Sequence, residues 1–221
     1  MKKINTVFIT SSYRSGGALF TKMLNVNDSI KVSSGTINFF RYYFKKYTPI
    51  KKKKNYKCLI NNFCIRSKYR FGINLNSTDL IAEFENNSLN YSNIYKLLCS
   101  KIFKNKKIGI TGEHAGNEWR NIKNYFKIFP KGKVIILLRD PRDIICSFKK
   151  TTIAKKNDYL ISIFNYVDLI NHTFILKKKY NKKIKIVKFN ELKKNTSTVL
   201  SKVCRFLKIK YNSKMINEKN F

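Results

Sequence analysis

Residues 4–25 read INTVFITSSYRSGGALFTKMLN, and this stretch decides the fold. The first seven residues are mostly β-branched or aromatic and have the length of a buried strand. Gly16 and Gly17 then interrupt the pattern, and residues 18–25 place their apolar side chains on one helical face. A glycine turn between a strand and a helix gathers free backbone N–H groups at the positive helix end, where proteins often hold phosphate. The stretch therefore predicts an anion site.

A second strand-to-helix junction lies at residues 133–150, which read KVIILLRDPRDIICSFKK. Residues 134–138 form a continuous apolar run, typical of a strand buried on both faces of a parallel sheet, and the run ends at Arg139. Asp140 is predicted to cap a helix that begins at Pro141. Because open α/β sheets bind ligands at the carboxyl ends of their strands, we expect Arg139 at the same edge as the glycine turn.

The rest of the chain indicates one α/β domain over residues 1–221, with a central parallel sheet flanked by helices. The segment KIKIVKF, residues 183–189, alternates like a strand, and residues 197–209 have the spacing of an amphipathic helix. Residues 36–105 are aromatic and basic with weak periodicity. They are interpreted as helices, with an exposed loop near Pro49 and with Ser77 or Thr78 as the N-cap of one helix.

The net charge of +35, from 47 basic and 12 acidic residues, raises the possibility of a nucleic-acid-binding protein. Lysine, asparagine and isoleucine are nevertheless spread along the whole chain, as a general compositional bias would produce. We favour that explanation over nucleic acid as a partner. A net positive field would still steer anionic ligands toward the protein.

The five cysteines are odd in number, contain no C-x-x-C pair and have no clustered histidines beside them, which argues against a disulfide scaffold and against a zinc site. The apolar run near the amino terminus is too short for a signal peptide, and no segment has the length and hydropathy of a transmembrane helix. We therefore expect a cytoplasmic protein.

Two nucleotide-binding fingerprints are missing. The sequence has neither the G-x-x-x-x-G-K-[ST] loop of nucleoside triphosphatases nor the G-x-G-x-x-G turn of dinucleotide-binding domains. Hydrolysis of ATP or GTP is therefore not favoured.

What the two junctions do resemble is the sulfotransferase superfamily. SYRSGGALFTKML is similar to that family's loop for the 5′-phosphosulfate, and LLRDPRDIICSF is similar to its 3′-phosphate motif, in which Arg139 and Ser147 have the family's spacing. The likeness continues through GEHAGNEWRNIKNYFKIFPKGKVI and KFNELKKNTSTVLSKVCRFLKI, so that it spans roughly residues 4–215. It implies a three-layer, P-loop-like fold and the co-substrate 3′-phosphoadenosine 5′-phosphosulfate, with no metal.

The resemblance also implies a role for each motif residue. The loop that would hold the 5′-phosphosulfate consists of Arg14, Ser15, Gly16, Gly17 and Ala18. The 3′-phosphate would be held by Arg139 and Ser147 of the second motif. Arg14 would also act catalytically, on the oxygens of the transferred group. For the base that takes the acceptor's proton there are two candidates, Glu113 and His114, which follow the predicted strand IGIT at the position of the family's acid-base group. Glu113 is favoured slightly, because several branches of the family carry a glutamate there.

Three features depart from the family pattern. Gly17 and Ala18 stand where two hydroxyl residues are usual, Leu19 replaces a frequent aromatic residue, and we expect the domain to lack the basic, glycine-containing segment that follows the last helix in many members. A catalytically silent nucleotide-binding relative is therefore a rival interpretation. The acceptor is expected to be a small molecule or a carbohydrate, bound by residues 36–105, and the oligomeric state stays open.

Overall fold

The computed structural model describes residues 5–104, 108–150 and 158–216. Within these ranges the strands are β1 (Asn5–Ser11), β2 (Ile30–Ser34), β3 (Ile110–Gly116), β4 (Lys133–Leu138) and β5 (Ile184–Lys188). The helices are α1 (Gly17–Asn25), α2 (Phe39–Tyr42), α3 (Lys53–Phe71), α4 (Ser77–Glu85), α5 (Tyr91–Ile102), α6 (Ile122–Ile128), α7 (Pro141–Lys149), α8 (Asp158–Lys179), α9 (Phe189–Lys194) and α10 (Thr196–Leu207). Short 3-10 turns cover Trp119–Asn121, Asn181–Lys183 and Ser213–Ile216.

The five strands form one sheet in the order β2-β3-β1-β4-β5, and every neighbouring pair is parallel. The central strand β1 carries Val7, Phe8 and Ile9, none of which is exposed. An apolar run without alternation suits a strand that is covered on both faces. The predicted parallel sheet is confirmed, although the sequence reading did not identify β2.

Helices cover the sheet on both sides, which confirms the three-layer arrangement. On one side Ile9 and the inner side chains of β4 pack with apolar residues of α1, α9 and α10. On the other side Phe8 packs with an aromatic cluster from α2 to α6, and Leu169 and Leu176 of α8 join it. Residues 36–104 are thus mainly a helical layer of the core.

The helix starts are only partly as predicted. Asp140 does cap α7, because its Oδ1 accepts a hydrogen bond of 2.9 Å from the backbone N–H of Arg142. The predicted N-cap of α4, Ser77 or Thr78, lies one or two residues too late: Asn76 is the cap, and its side chain accepts from Thr78 N at 2.9 Å. Asn76 has extended backbone geometry, whereas Ser77 is already the first residue of the helix.

The long helix α8 has apolar side chains on its exposed side as well as on its buried side. Phe164 is 73% exposed and Phe174 is 71% exposed, whereas Leu169 and Leu176 are buried. Among the described residues, no helix combines the length and the hydropathy that crossing a membrane would need.

Candidate functional site

The glycine loop, residues 12–16, connects β1 to α1 at the carboxyl edge of the sheet. Arg14 and Gly16 both have left-handed backbone geometry, with φ of 64° and 82°, and the Ser12 and Ser15 hydroxyl oxygens lie 2.7 Å apart. No side chain caps α1, its first turn contains no acid, and the amides of residues 15–18 donate to no described residue. These unpaired N–H groups at the positive end of a helix can bind an anion.

Gly17 is required by the side chain of His114. A Cβ atom added to Gly17 would lie 2.1 Å from His114 Nε2, so that no larger residue fits without moving the ring. Ala18, in contrast, is exposed. The structure therefore explains why a hydroxyl side chain is missing at position 17, but shows no such obstacle at position 18.

Gly16 is packed in the same way against Phe189, the first residue of α9. An added Cβ would lie 2.1 Å from Phe189 Cε2. The Arg139 guanidinium carbon lies 5.1 Å from the centre of the same ring, within the range of a cation–π contact. Phe189 thus connects the two junctions. Sequence reasoning missed this residue, and the available signal was an aromatic side chain directly after β5 at the ligand-binding edge.

The two predicted motifs contact each other. Arg139 donates from Nη1 to the backbone oxygen of Arg14 at 2.8 Å, and Arg14 donates from Nε to Ser147 Oγ at 3.0 Å. Arg139 Nε also lies 3.7 Å from Asp143 Oδ2, so Arg139 has a carboxylate partner in the first turn of α7 as well. The structure therefore brings Arg14, Ser147 and Arg139 together beside the glycine loop.

At the start of α7, neighbouring side chains already bind the groups that could otherwise bind an anion. Asp140 accepts from the backbone N–H of Arg142 and forms an ion pair with Arg142 Nη2 at 2.6 Å. The hydrogen bond from the Arg142 side chain lowers the pKa of Asp140 to about 2, so its carboxylate is ionised at neutral pH. An anion at this junction would have to be held by side chains such as Arg139 and Ser147.

Glu113 lies within β3, not after the strand as predicted, and does not reach the glycine loop. Its side chain is fully buried on the side of β3 that faces the aromatic layer, where its Oε2 accepts a hydrogen bond of 2.8 Å from Phe39 N. Oε1 has no partner among the described residues. Burial raises the pKa of Glu113 to about 8, because the apolar surroundings disfavour the carboxylate.

His114 points to the opposite side of β3, since successive side chains of a strand alternate. Its Nε2 lies 3.3 Å from Ser11 Oγ and its Nδ1 lies 3.3 Å from Ser34 Oγ. Burial lowers the pKa of His114 to about 4, so the imidazole is neutral at pH 7. Of the two predicted bases, His114 is the one that the structure places against the glycine loop.

A cavity of about 240 Å³ lies beside the glycine loop, between α7 and the amino-terminal part of α8. Its wall includes Ser12 and Tyr13 of the loop, Asn117 after β3, and Ile144 of α7. Although residues 36–105 were expected to shape an acceptor pocket, none of the described residues that line this cavity comes from that stretch.

A polar network holds the rim of this cavity. Asn117 accepts from the backbone N–H of Tyr13 at 3.2 Å, and Arg41 donates to the Tyr13 hydroxyl at 2.7 Å. Arg41 also donates to Glu118 Oε1 at 2.6 Å, and these contacts together raise its pKa against the effect of burial. The sequence analysis assigned no role to any of these four residues, because contacts between elements that are distant in the chain leave no local pattern.

The described residues contain no group of three or more His, Cys, Asp or Glu side chains that could hold a metal ion. What the site offers to a ligand is free amides, guanidinium groups and hydroxyls. This donor set suits phosphate and sulfate oxygens.

Comparisons with known proteins agree with this arrangement. A search of curated protein sequences finds no match. The sulfotransferase domain of the Synechococcus PCC 7002 olefin synthase superposes with a TM-score of 0.67 at 18% identity, over 98% of this chain and 78% of that domain. The sulfotransferase domain from the curacin biosynthetic pathway gives 0.64 at 18% identity, with the same coverage. Mouse sulfotransferase SULT7A1, solved in complex with PAP, gives 0.50 at 14% identity, over 96% of this chain and 61% of that one.

These structures show the fold, and a sequence profile shows the family. The profile, described as the sulfotransferase family, matches residues 6–213, which include both junctions and every strand from β2 to β5. The chain therefore belongs to the sulfotransferase family.

Proposed function

We propose that this protein transfers a sulfuryl group from 3′-phosphoadenosine 5′-phosphosulfate to a hydroxyl or amine of an acceptor. The observation that carries the proposal is the contact between the two motifs, in which Arg139 donates to the Arg14 backbone at 2.8 Å and Arg14 donates to Ser147 at 3.0 Å. A nucleotide that carries phosphate groups on both the 5′ and the 3′ oxygen of its ribose needs two neighbouring anion sites, and these hydrogen bonds place the two motifs next to each other. The PAP complex of the mouse neighbour supports the same class of donor.

The residues of the glycine loop would stabilise the leaving group. In sulfuryl transfer the bond between sulfur and the phosphate oxygen breaks while a bond to the acceptor oxygen or nitrogen forms, and negative charge grows on the phosphate. The amides of residues 15–18 and the Arg14 guanidinium are donors for that charge. Because these donors are fixed before the reaction, they need no reorganisation during it.

His114 is the better placed of the two predicted bases. It is neutral at pH 7 and lies against Gly17, whereas Glu113 is enclosed in the aromatic layer and bonded to Phe39. We infer that His114 receives the acceptor's proton and that Glu113 positions α2 relative to β3.

Replacement of His114 by Asn should then lower kcat on the order of a hundredfold, as loss of a general base typically does. Glu113→Gln, which keeps the acceptor for Phe39 N–H, should leave kcat within a few-fold. The reverse ranking in a transfer assay would return the role to Glu113.

The cavity beside Tyr13 and Asn117 is the proposed acceptor site. It touches the glycine loop, and its volume of about 240 Å³ accommodates a small molecule or one sugar unit of a carbohydrate. His114 does not line the cavity, so the acceptor's proton would reach His114 Nε2 through the hydroxyl of Ser11, which is 3.3 Å away and precedes Ser12 of the cavity wall. All five cysteines are free thiols, which suits a reducing compartment, and we accordingly propose that the enzyme acts in the cytoplasm.

A thermal-shift comparison tests the donor assignment. Adenosine 3′,5′-bisphosphate should raise the melting temperature of the protein clearly more than AMP at the same concentration, because only the bisphosphate fills both anion sites. A transfer assay with radiolabelled donor and a panel of hydroxyl and amine acceptors then tests the chemistry. Equal shifts with the two nucleotides would contradict the donor assignment. Selective binding of the bisphosphate without transfer to any acceptor would identify the silent relative instead, the rival favoured by the missing hydroxyls at Gly17 and Ala18.

A further inference from the structure

A second cavity, far along α8 from the glycine loop, has a wall of positive charge. It has a volume of about 470 Å³ and lies between α6 and the carboxyl-terminal end of α8. Five of the described residues that line it are cationic and none is acidic; the five are Arg120, Lys123, Lys127, Lys179 and Lys183. We call this cavity the basic cleft.

The charges of the basic cleft are largely uncompensated. Arg120 is paired with Asp168, at 2.9 Å between Nε and Oδ2. No described carboxylate lies within ion-pair distance of the four lysines. Elsewhere on the surface, Lys101 pairs with Glu83 at 2.6 Å. Five cations around one concave surface that has no acidic side chain concentrate the positive field more than scattered surface lysines do, so the cleft is distinct from the general basic composition.

Two of these amines lie over aromatic rings. The rings of Phe126 and Tyr180 contact each other with their centres 4.6 Å apart. Lys183 Nζ lies 5.6 Å from the centre of the Phe126 ring, and Lys179 Nζ lies 5.7 Å from that of Tyr180. Phe126 is only 6% exposed, and Tyr180 is partly buried against it, so the cleft presents no row of exposed rings on which successive nucleic-acid bases could stack. The cleft therefore offers amines to an anion and little aromatic surface to bases, which favours an acidic saccharide over single-stranded nucleic acid.

The basic cleft and the proposed acceptor cavity lie along the same face of α8. Ile161 lines the acceptor cavity and Lys179 lines the basic cleft. These residues are about five turns apart at 3.6 residues per turn, so they face the same direction, roughly 27 Å from each other along the helix axis. Asn117 and Arg120, from one short segment after β3, likewise line one cavity each. A single elongated molecule can therefore reach both cavities.

We propose that the basic cleft binds the anionic part of an elongated acidic oligosaccharide while the hydroxyl to be sulfated lies in the acceptor cavity. The inference rests on the proposed sulfotransferase function and adds to it the class of acceptor. An oligosaccharide with carboxylate or sulfate groups supplies what the two cavities require, since it carries negative charge at one place and a free hydroxyl several sugar units away. Lysine amines suit such spaced anions, which they bind as point charges.

Binding of a fluorescently labelled heparin decasaccharide tests the cleft. Lys123 and Lys127 are exposed neighbours on α6, so the double variant Lys123→Glu/Lys127→Glu reverses the charge of two side chains of the cleft without disturbing the core. Lys51→Glu/Lys54→Glu makes the same change in net charge at exposed positions near the start of α3 and serves as the matched control. We expect the dissociation constant to rise roughly tenfold or more in the cleft variant and about twofold or less in the control, because only the former loses charge-assisted contacts.

Two further probes decide the assignment. Neutral maltoheptaose should bind at least about tenfold more weakly than the decasaccharide, as expected for recognition by charge. Equal losses in the two lysine variants would overturn the proposal, because a diffuse field would then explain the binding. So would an oligothymidylate that binds more tightly than the decasaccharide and depends on the same two lysines. Stabilisation by adenosine 3′,5′-bisphosphate is read in parallel. If the bisphosphate does not stabilise the protein but the cleft variant still loses affinity for the decasaccharide, the donor assignment is wrong and the polyanion site is retained. If the bisphosphate stabilises the protein but the cleft variant binds the decasaccharide normally, only the proposed role of the basic cleft is wrong.

Discussion

The two strand-to-helix junctions lie side by side, yet they are prepared for an anion in opposite ways. At the β1–α1 junction the helix has no side-chain cap and no acid in its first turn, and the amides of residues 15–18 are unpaired. At the β4–α7 junction the helix is capped by Asp140, which is in turn paired with Arg142. The first junction can bind an anion through its backbone, whereas binding of an anion at the second would depend on side chains such as Arg139 and Ser147.

This difference teaches where each site is vulnerable. A backbone site depends on the shape of the chain, so it is sensitive to any side chain that moves the loop and tolerant of changes that leave the loop in place. A side-chain site depends on particular functional groups, so removal of one cation is sufficient to weaken it. Substitutions at the two junctions should therefore differ in kind as well as in size.

The largest effect is expected from Gly17→Ala at the first junction. The added methyl group overlaps the His114 ring, and displacement of the loop or the ring should cost about 1–3 kcal/mol of unfolding free energy. We expect affinity for adenosine 3′,5′-bisphosphate, measured by calorimetry, to fall on the order of a hundredfold, because several backbone N–H groups would no longer point at the bound anion. The double variant Gly17→Ala/His114→Ala removes the overlap and should recover most of the binding. Normal affinity in the single variant would show that the backbone of the loop is not the binding element.

Arg139→Ala should have the next largest effect, confined to the second junction. Loss of one charge-assisted contact of about 1.5–3 kcal/mol corresponds to a roughly tenfold to hundredfold weaker affinity for adenosine 3′,5′-bisphosphate. Adenosine 5′-phosphosulfate, which has no 3′-phosphate, should be affected much less. Arg142→Ala is the matched control, since Arg142 is highly exposed and bonded to Asp140. If both ligands lost affinity equally, Arg139 would be supporting the loop through its bond to Arg14 and would not be reading the 3′-phosphate.

The sequence predicted the strands and helices of the two junctions more fully than the side-chain packing around them. Strand, glycine turn and capped helix are local patterns, and for this reason β1, α1, β4 and α7 could be read directly. The short strand β2 was missed because IKVSS carries little apolar signal. The packing of Phe189 on Gly16 and of His114 on Gly17 joins residues distant in the chain, and no local pattern reports such contacts. The choice between Glu113 and His114 also required the structure, since neighbouring residues of a strand differ only in the side to which they point.

A smaller, pH-dependent effect should separate the junctions further. Burial holds the pKa of His114 at about 4, and an anion bound above Gly17 favours the charged imidazole and so raises that pKa. Binding is then coupled to proton uptake, and affinity for adenosine 5′-phosphosulfate should rise as the pH falls, by roughly threefold between pH 7 and pH 5. His114→Asn should abolish this dependence in calorimetry, whereas Arg139→Ala should retain it. A pH-independent affinity in the wild-type protein would show that the imidazole does not sense the bound anion.

The last expected effect, similar in size to the pH dependence, is a gain in affinity at the open position of the first junction. Gly17 cannot carry a hydroxyl because of His114, but Ala18 is exposed and lies in the first turn of α1, where a side-chain hydroxyl can reach the same anion as the amides. Ala18→Thr and Ala18→Val have nearly the same shape, so their ratio isolates the hydroxyl from any change in helix propensity. One added hydrogen bond of about 0.5–1 kcal/mol should make the threonine variant roughly two- to fivefold tighter for adenosine 5′-phosphosulfate. If the two variants bind equally, the anion does not lie above the first turn of α1, and the backbone description of this junction would have to be replaced by one based on Arg14.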